Sequence, residues 1–137
     1  MNKSIEQQMR TLKLGGLAKA WQTVAFEEPE QYIRDFMALE LREREANRIN
    51  RMVKTAGFRV IKTLDEFIWN KAIELPNGLS QTDMTSLSFV DRKENLIFMG
   101  AVGTGKTHLA TALAMQACED GKQVRFYSAA SLANLLL

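Results

Sequence analysis

The sequence predicts an α/β P-loop nucleotide-binding core preceded by a small all-α domain. Three observations carry this. Residues 100–107, "GAVGTGKT", fit the phosphate-loop pattern G-x-x-x-x-G-K-[ST] in full. That loop lies between the short apolar run "NLIFMG" at 95–100, a predicted strand, and an amphipathic run from Lys106 to Glu119, a predicted helix. Residues 1–62 show helical spacing almost throughout.

Taken in order, residues 4–13 read as a short helix with Ile5, Met9 and Leu12 on one face, punctuated by "LGG" at 14–16. A second helical stretch runs through Leu17, Trp21 and Val24, and Pro29 breaks it, with Glu30 suited to the first turn of the next helix. From about Gln31 to Thr55 a long polar helix is expected. Ile33, Phe36, Met37 and Leu41 give it an early apolar stripe, and Gly57 is its stop. Residues 62–78 read as a connector with aromatic anchors; "TDMTSLSF" fits either a short helix or a loop. After the strand, loop and helix, Gly121 stands where a C-terminal capping glycine belongs. "QVRFYS" reads as a second strand, and "AASLANLLL" begins a second helix capped by Ser128 or Ser131. Strand, loop, helix, strand, helix is the opening of a three-layer domain with a parallel sheet. The expected boundary places a helical domain at 1–62 and the start of a nucleotide-binding domain at 63–137.

Composition bounds the function classes. The 137 residues are 46% hydrophobic and 25% charged, an ordinary globular balance. The longest uncharged run near the loop, Thr107 to Cys118, is too short and too polar to span a bilayer, and the N-terminus has no signal-peptide pattern. Cys118 is the single cysteine, so an internal disulfide and a cysteine metal site are excluded, and the cytoplasm is the expected compartment. Net charge is +2, but residues 1–62 hold 12 Lys/Arg against 8 Asp/Glu, and 42–62 hold seven basic residues against two acidic ones. This asymmetry points to a polyanion-binding part joined to something else.

The phosphate loop specifies its chemistry. Glycines let successive backbone N–H groups wrap phosphate oxygens, and the helix that follows aims its positive end at the same place. Gly100, Ala101, Val102, Gly103, Thr104 and Gly105 would form the cradle. Lys106 would reach the β- and γ-phosphates, and the Thr107 hydroxyl would ligate Mg²⁺, which prefers hard oxygen ligands. His108, the only histidine, stands next to the cradle, where a packed or surface role competes with ligand contact. Hydrolysis further needs an acid that organises Mg²⁺ and water. The only acids after Lys106 are Glu119 and Asp120, in an expected surface turn, so binding with little or no hydrolysis is the expectation for these residues. Upstream, Arg44, Arg48 and Arg51 share one helix face and, with Lys54, Arg59 and Lys62, offer a basic stripe for DNA or for an acidic partner surface. Glu–Arg pairs within a solvated helix face are the competing reading. Trp21 and Trp69 read as core rather than as stacking platforms.

Four stretches then carry a family resemblance: "MRTLKLGGLAKAW", "LELREREANRINRMVKTAGF", "KTLDEFIWN" and "ENLIFMGAVGTGKTHLATALAMQACEDGKQVRFYSAASLANLL". Together they resemble the IstB-like transposition helper ATPases, AAA+ proteins related to DnaC-type helicase loaders. The resemblance implies a protein that binds ATP with Mg²⁺ and self-assembles on target DNA without sequence preference. It also implies that the protein directs a partner transposase there, with the N-terminal domain contacting the partner or DNA. By analogy with helicase loaders it places Leu64, Phe67 and Ile68 near the adenine. The family's second acidic strand, sensor residues and arginine finger have no counterpart here, so the sequence is expected to be the N-terminal portion of a longer ATPase. A replicative helicase loader and a non-enzymatic partner-binding module are the alternatives.

Overall fold

Ser4 accepts a hydrogen bond from the Gln7 N–H while the Gln7 side chain accepts one from the Ser4 N–H, and this reciprocal cap starts helix α1 (Ile5–Thr11). The computed structural model describes residues 4–71, 73–76 and 78–137 and separates into two compact units, Met1–Asn50 and Arg51–Leu137.

In the first unit the turn after α1 is made by Lys13, at φ 59°, and not by the glycines expected to punctuate it. Gly15 and Gly16 instead begin α2 (Gly15–Ala20), which runs into a single tight turn at Trp21–Thr23. The reason is packing. A Cβ on Gly16 would lie 2.7 Å from Glu43 Cβ and 2.8 Å from the Leu39 carbonyl oxygen, so glycine lets α2 approach the long helix α3 (Pro29–Ala56) at backbone distance. Pro29 fits the first turn of α3, where its missing N–H costs nothing; the last residues of α3, from Arg51, belong to the second unit, and Gly57 at φ 76° ends the helix. Met9, Leu17 and Ala18 form the buried centre, with Trp21, Phe36 and Leu39 packed around it. The expected apolar stripe of α3 is therefore split: Phe36 turns to this core, while Ile33, Met37 and Leu41 are 58%, 58% and 65% exposed.

The second unit is built on α6 (Lys106–Glu119). Its Leu109, Leu113 and Ala117, spaced by four, face Met84 and Leu87 from two short helices, α4 (Gln81–Thr85) and α5 (Ser88–Asp91). The ambiguous "TDMTSLSF" is thus helical in two pieces, with Ser80 and Asp83 making a reciprocal cap for α4. The connector anchors itself through its aromatic residues Phe67 and Trp69, as expected, and also through Leu64 and Leu75, with Leu79 just beyond it on the same core. Gly121, at φ 81°, terminates α6, and Ser128 caps α7 (Ala129–Leu136) by accepting from Ser131 N–H.

The expected strands are the main departure. Among the described residues there is no strand: residues 95–100 and 122–127 join no ladder. Both nonetheless alternate as strands do. Leu96 and Phe98 pack on the core while Ile97 and Met99 are 81% and 88% exposed. Val124 packs inward between exposed Gln123 and Arg125. A ladder needs a neighbour on at least one edge. These two segments do not pair with each other, and the Phe126 N–H donates instead to the Ala56 carbonyl at 2.7 Å.

Candidate nucleotide-binding site

The phosphate loop leaves the core at Phe98 and re-enters it at Leu109. Between them Gly100, Gly103 and Gly105 adopt φ 149°, 83° and 86°, values open to glycine and strained for other residues. Gly105 is the N-cap of α6 with no side chain over the helix end, so the first N–H groups of α6 are left for a ligand. Thr104 Oγ1 donates to the Ala101 carbonyl at 2.9 Å and holds the loop's curvature. Val102 stands fully exposed at its apex.

Lys106 is folded over this loop. Its ammonium donates to the Gly100 carbonyl at 2.9 Å and the Ala101 carbonyl at 2.6 Å, with Thr104 Oγ1 at 3.4 Å. It has no ion-pair partner among the described residues, so the one charge at the loop is positive and carboxylate-free, which suits an anion. Thr107 is exposed at the start of α6.

Beneath the loop lies a contact that motif reading does not supply. A Cβ on Gly105 would come 3.1 Å from Phe67 Cε2, so the connector's aromatic ring packs directly under the last glycine. The same ring meets His108 edge-on, with centroids 5.3 Å apart, and Trp69 likewise at 5.0 Å. His108 is half-buried, and its Nε2 lies 3.3 Å from the Thr63 carbonyl, an oxygen that only accepts, so this nitrogen is the donor. His108 therefore ties α6 to the connector. Of the residues expected near the adenine, Leu64 and Phe67 pack on the core and Ile68 is 81% exposed. A hollow of about 460 Å³ opens beside Thr107 and His108, bounded by Arg59, Lys62, Thr111 and Phe126.

Glu119 and Asp120 sit at the far end of α6, a 14-residue helix, hence about 20 Å from the loop. Asp120 accepts from the Gln116 side chain there. No cluster of three or more His, Cys, Asp or Glu suited to a metal occurs among the described residues. No described helix is long and apolar enough to cross a membrane.

The basic stripe divides. Arg44 is held by Glu40 at 2.7 Å and donates to the Lys13 carbonyl; Arg48 pairs with Glu45 at 2.6 Å. In the second unit Arg51, Lys54, Arg59 and Lys62 form no ion pair among the described residues. Sequence spacing showed the Glu40–Arg44 pair but not its purpose. Glu40 Oε2 accepts from the N–H groups of Gly16 and Leu17 at 2.8 and 3.3 Å, capping α2 from another helix. Burial pushes the Glu40 carboxyl up, but the hydrogen bonds from Arg44, Leu17 and Gly16 outweigh it and hold the group below its ordinary value.

Against known proteins, the family described as IstB-like ATP binding protein matches residues 7–137. The chain is 29% identical over 142 residues to a protein of Geobacillus stearothermophilus named as an ATP-binding protein of insertion sequence IS5376, covering 99% of this chain and 56% of that one. It is 37% identical over 87 residues to the protein so named in insertion sequence IS232 of Bacillus thuringiensis subsp. berliner, covering 64% and 34%. It is 33% identical over 97 residues to the one in insertion sequence IS21 of Pseudomonas aeruginosa, covering 68% and 36%. The chain thus spans between about a third and somewhat over half the length of these relatives.

Proposed function

Because the chain belongs to the family of IstB-like ATP binding proteins, we propose that it is the nucleotide-binding and N-terminal part of an ATP-dependent helper of DNA transposition. Gly100 to Thr107 would bind the triphosphate, with His108 at their edge. The observation that carries this is the glycine loop with α6 N–H groups that no side chain caps and a lysine ammonium that pairs with no carboxylate among the described residues. On binding, Lys106 exchanges the carbonyls of Gly100 and Ala101 for phosphate oxygens, a gain because a charged acceptor makes the stronger bond. Thr107 offers one hard oxygen, which would suit an Mg²⁺ bound together with the triphosphate, where the metal would neutralise phosphate charge. The base is assigned to the connector side, near Leu64, Phe67 and Ile68. Glu119 and Asp120 are too far from the loop to act on Mg²⁺, so these residues are assigned binding rather than hydrolysis.

The same reading makes 95–100 and 122–127 strands of a parallel sheet, supported by their alternating burial. It makes Arg51, Lys54, Arg59 and Lys62 the contacts to DNA phosphates, supported by their forming no ion pair among the described residues. A helper that accepts many target sites needs contacts of this sequence-independent kind. ATP binding would favour self-assembly on DNA and the delivery of a cognate transposase. The test is nucleotide titration of the chain and of Lys106→Ala. Loss of ATP binding in the variant is expected, and unchanged affinity would overturn the reading.

A further inference from the structure

The long helix α3 carries an apolar strip that its own unit does not cover. Ile33, Met37 and Leu41 follow at intervals of four and are 58%, 58% and 65% exposed. Phe36, Leu39, Glu40 and Glu43 occupy a different side of α3 and are already spent on α1 and α2. At the ends of the strip stand Glu30, three residues before Ile33, and Arg44, three residues after Leu41. Their side chains are 80% and 59% exposed.

The order Glu30, Ile33, Met37, Leu41, Arg44 has spacings of three, four, four and three, which read the same in both directions about Met37. Only its charges reverse. We propose that this strip binds a second copy of the same chain, with the two α3 helices antiparallel across a two-fold axis at Met37. In that arrangement Met37 faces Met37, Ile33 of each copy faces Leu41 of the other, and Glu30 of each faces Arg44 of the other. A two-fold interface requires this self-complementarity, in which residue i meets j and j meets i. Parallel pairing would bring Glu30 onto Glu30 and Arg44 onto Arg44, so the charges select the antiparallel form. Glu30 and Arg44 each hold an in-chain partner, Arg34 and Glu40, but carboxylate and guanidinium have further acceptor and donor positions for a cross-pair. Three apolar residues a side make a small interface, so a weak, reversible dimer follows.

This pairing needs neither nucleotide nor DNA, and so goes beyond the ATP-dependent assembly proposed above. It is tested by sedimentation of the whole chain without either ligand, from about 10 μM to about 1 mM. A concentration-dependent dimer is expected. Met37→Glu, which sets like charges face to face on the axis, is expected to raise the dissociation constant at least tenfold with the circular dichroism unchanged. Under mild oxidation Met37→Cys is expected to form a disulfide dimer by itself. Ile33→Cys should cross-link only when mixed with Leu41→Cys, and the native Cys118 is buried and does not compete. A wild-type chain that stays monomeric over the whole range overturns the proposal, as does Ile33→Cys cross-linking to itself as readily as Met37→Cys. If that monomer still assembles with ATP and DNA, only this inference fails. If Met37→Glu weakens nothing but transposase binding, the strip belongs to the partner protein and the proposal is wrong.

Discussion

The ring of Phe67 crowds the place a side chain at Gly105 would take, with Phe67 Cε2 3.1 Å from that Cβ position. Glycine is therefore favoured twice there, by the φ of 86° and by a ring that would have to shift by a few tenths of an ångström. Gly105→Ala should lower ATP affinity at least tenfold and destabilise the second unit by about 1–2 kcal/mol. Adding Phe67→Leu should recover the steric part but not the backbone part. Titration and melting of the two single variants and the double variant form the cycle that separates them. Strict additivity would mean that ring and loop are not coupled.

Thr107 separates metal from phosphate. If its hydroxyl ligates the nucleotide's Mg²⁺, Thr107→Ala should bind ATP about tenfold more weakly in Mg²⁺, a change of about 1.4 kcal/mol. In excess chelator it should match the wild type. Equal losses in both conditions would place the hydroxyl on phosphate and leave the metal unassigned.

Periodicity and motif made α1, α3, α6 and α7 legible: α1 by the spacing of Ile5, Met9 and Leu12, α3 by Pro29 and Gly57, α6 by the glycine loop, and α7 by Ser128. The role of Gly16 was not legible, since it answers to Glu43 and Leu39 more than twenty positions away. The same holds for Glu40, whose spacing to Arg44 suggested a surface pair while its second oxygen caps another helix. At the site, the motif identified Gly100 to Thr107 but could not show Lys106 folded onto its own loop or Phe67 beneath it. The segments 95–100 and 122–127 were read from the sequence as strands of a parallel sheet; their alternating burial was not read there, and among the described residues they form no ladder, because alternation reports burial and a ladder needs a neighbouring strand.

The cations divide into two sets with different expected phenotypes. Replacing Arg51, Lys54, Arg59 and Lys62 together by Ala should weaken DNA binding equally on unrelated sequences. It should also make the slope of log affinity against log salt less negative by about 3 to 4. Arg44→Ala should leave that slope nearly unchanged and lower thermal stability, since Arg44 supports Glu40 and the Lys13 turn. Filter binding at several salt concentrations distinguishes the sets. A larger slope change from Arg44 than from the four together would reverse the assignment.

Glu40 makes the seating of α2 on α3 dependent on acid. Its carboxyl is held below its ordinary value in the folded chain, so its stabilisation is fully present above the unfolded pKa and is lost as pH falls through the folded one. Protonation leaves the Arg44 guanidinium without its charge partner and weakens acceptance from Gly16 and Leu17. Glu40→Gln keeps the shape and removes the charge. It should cost about 1–3 kcal/mol at neutral pH, and the gap to wild type should close at acid pH, because there the wild type also carries a neutral side chain. The readout specific to this contact is the hydrogen-exchange protection of the Gly16 and Leu17 amides relative to their intrinsic rates, which should fall in the variant at neutral pH and in both proteins in acid. Exchange in the variant as slow as in the wild type at neutral pH would show that the carboxylate does not hold the helix end.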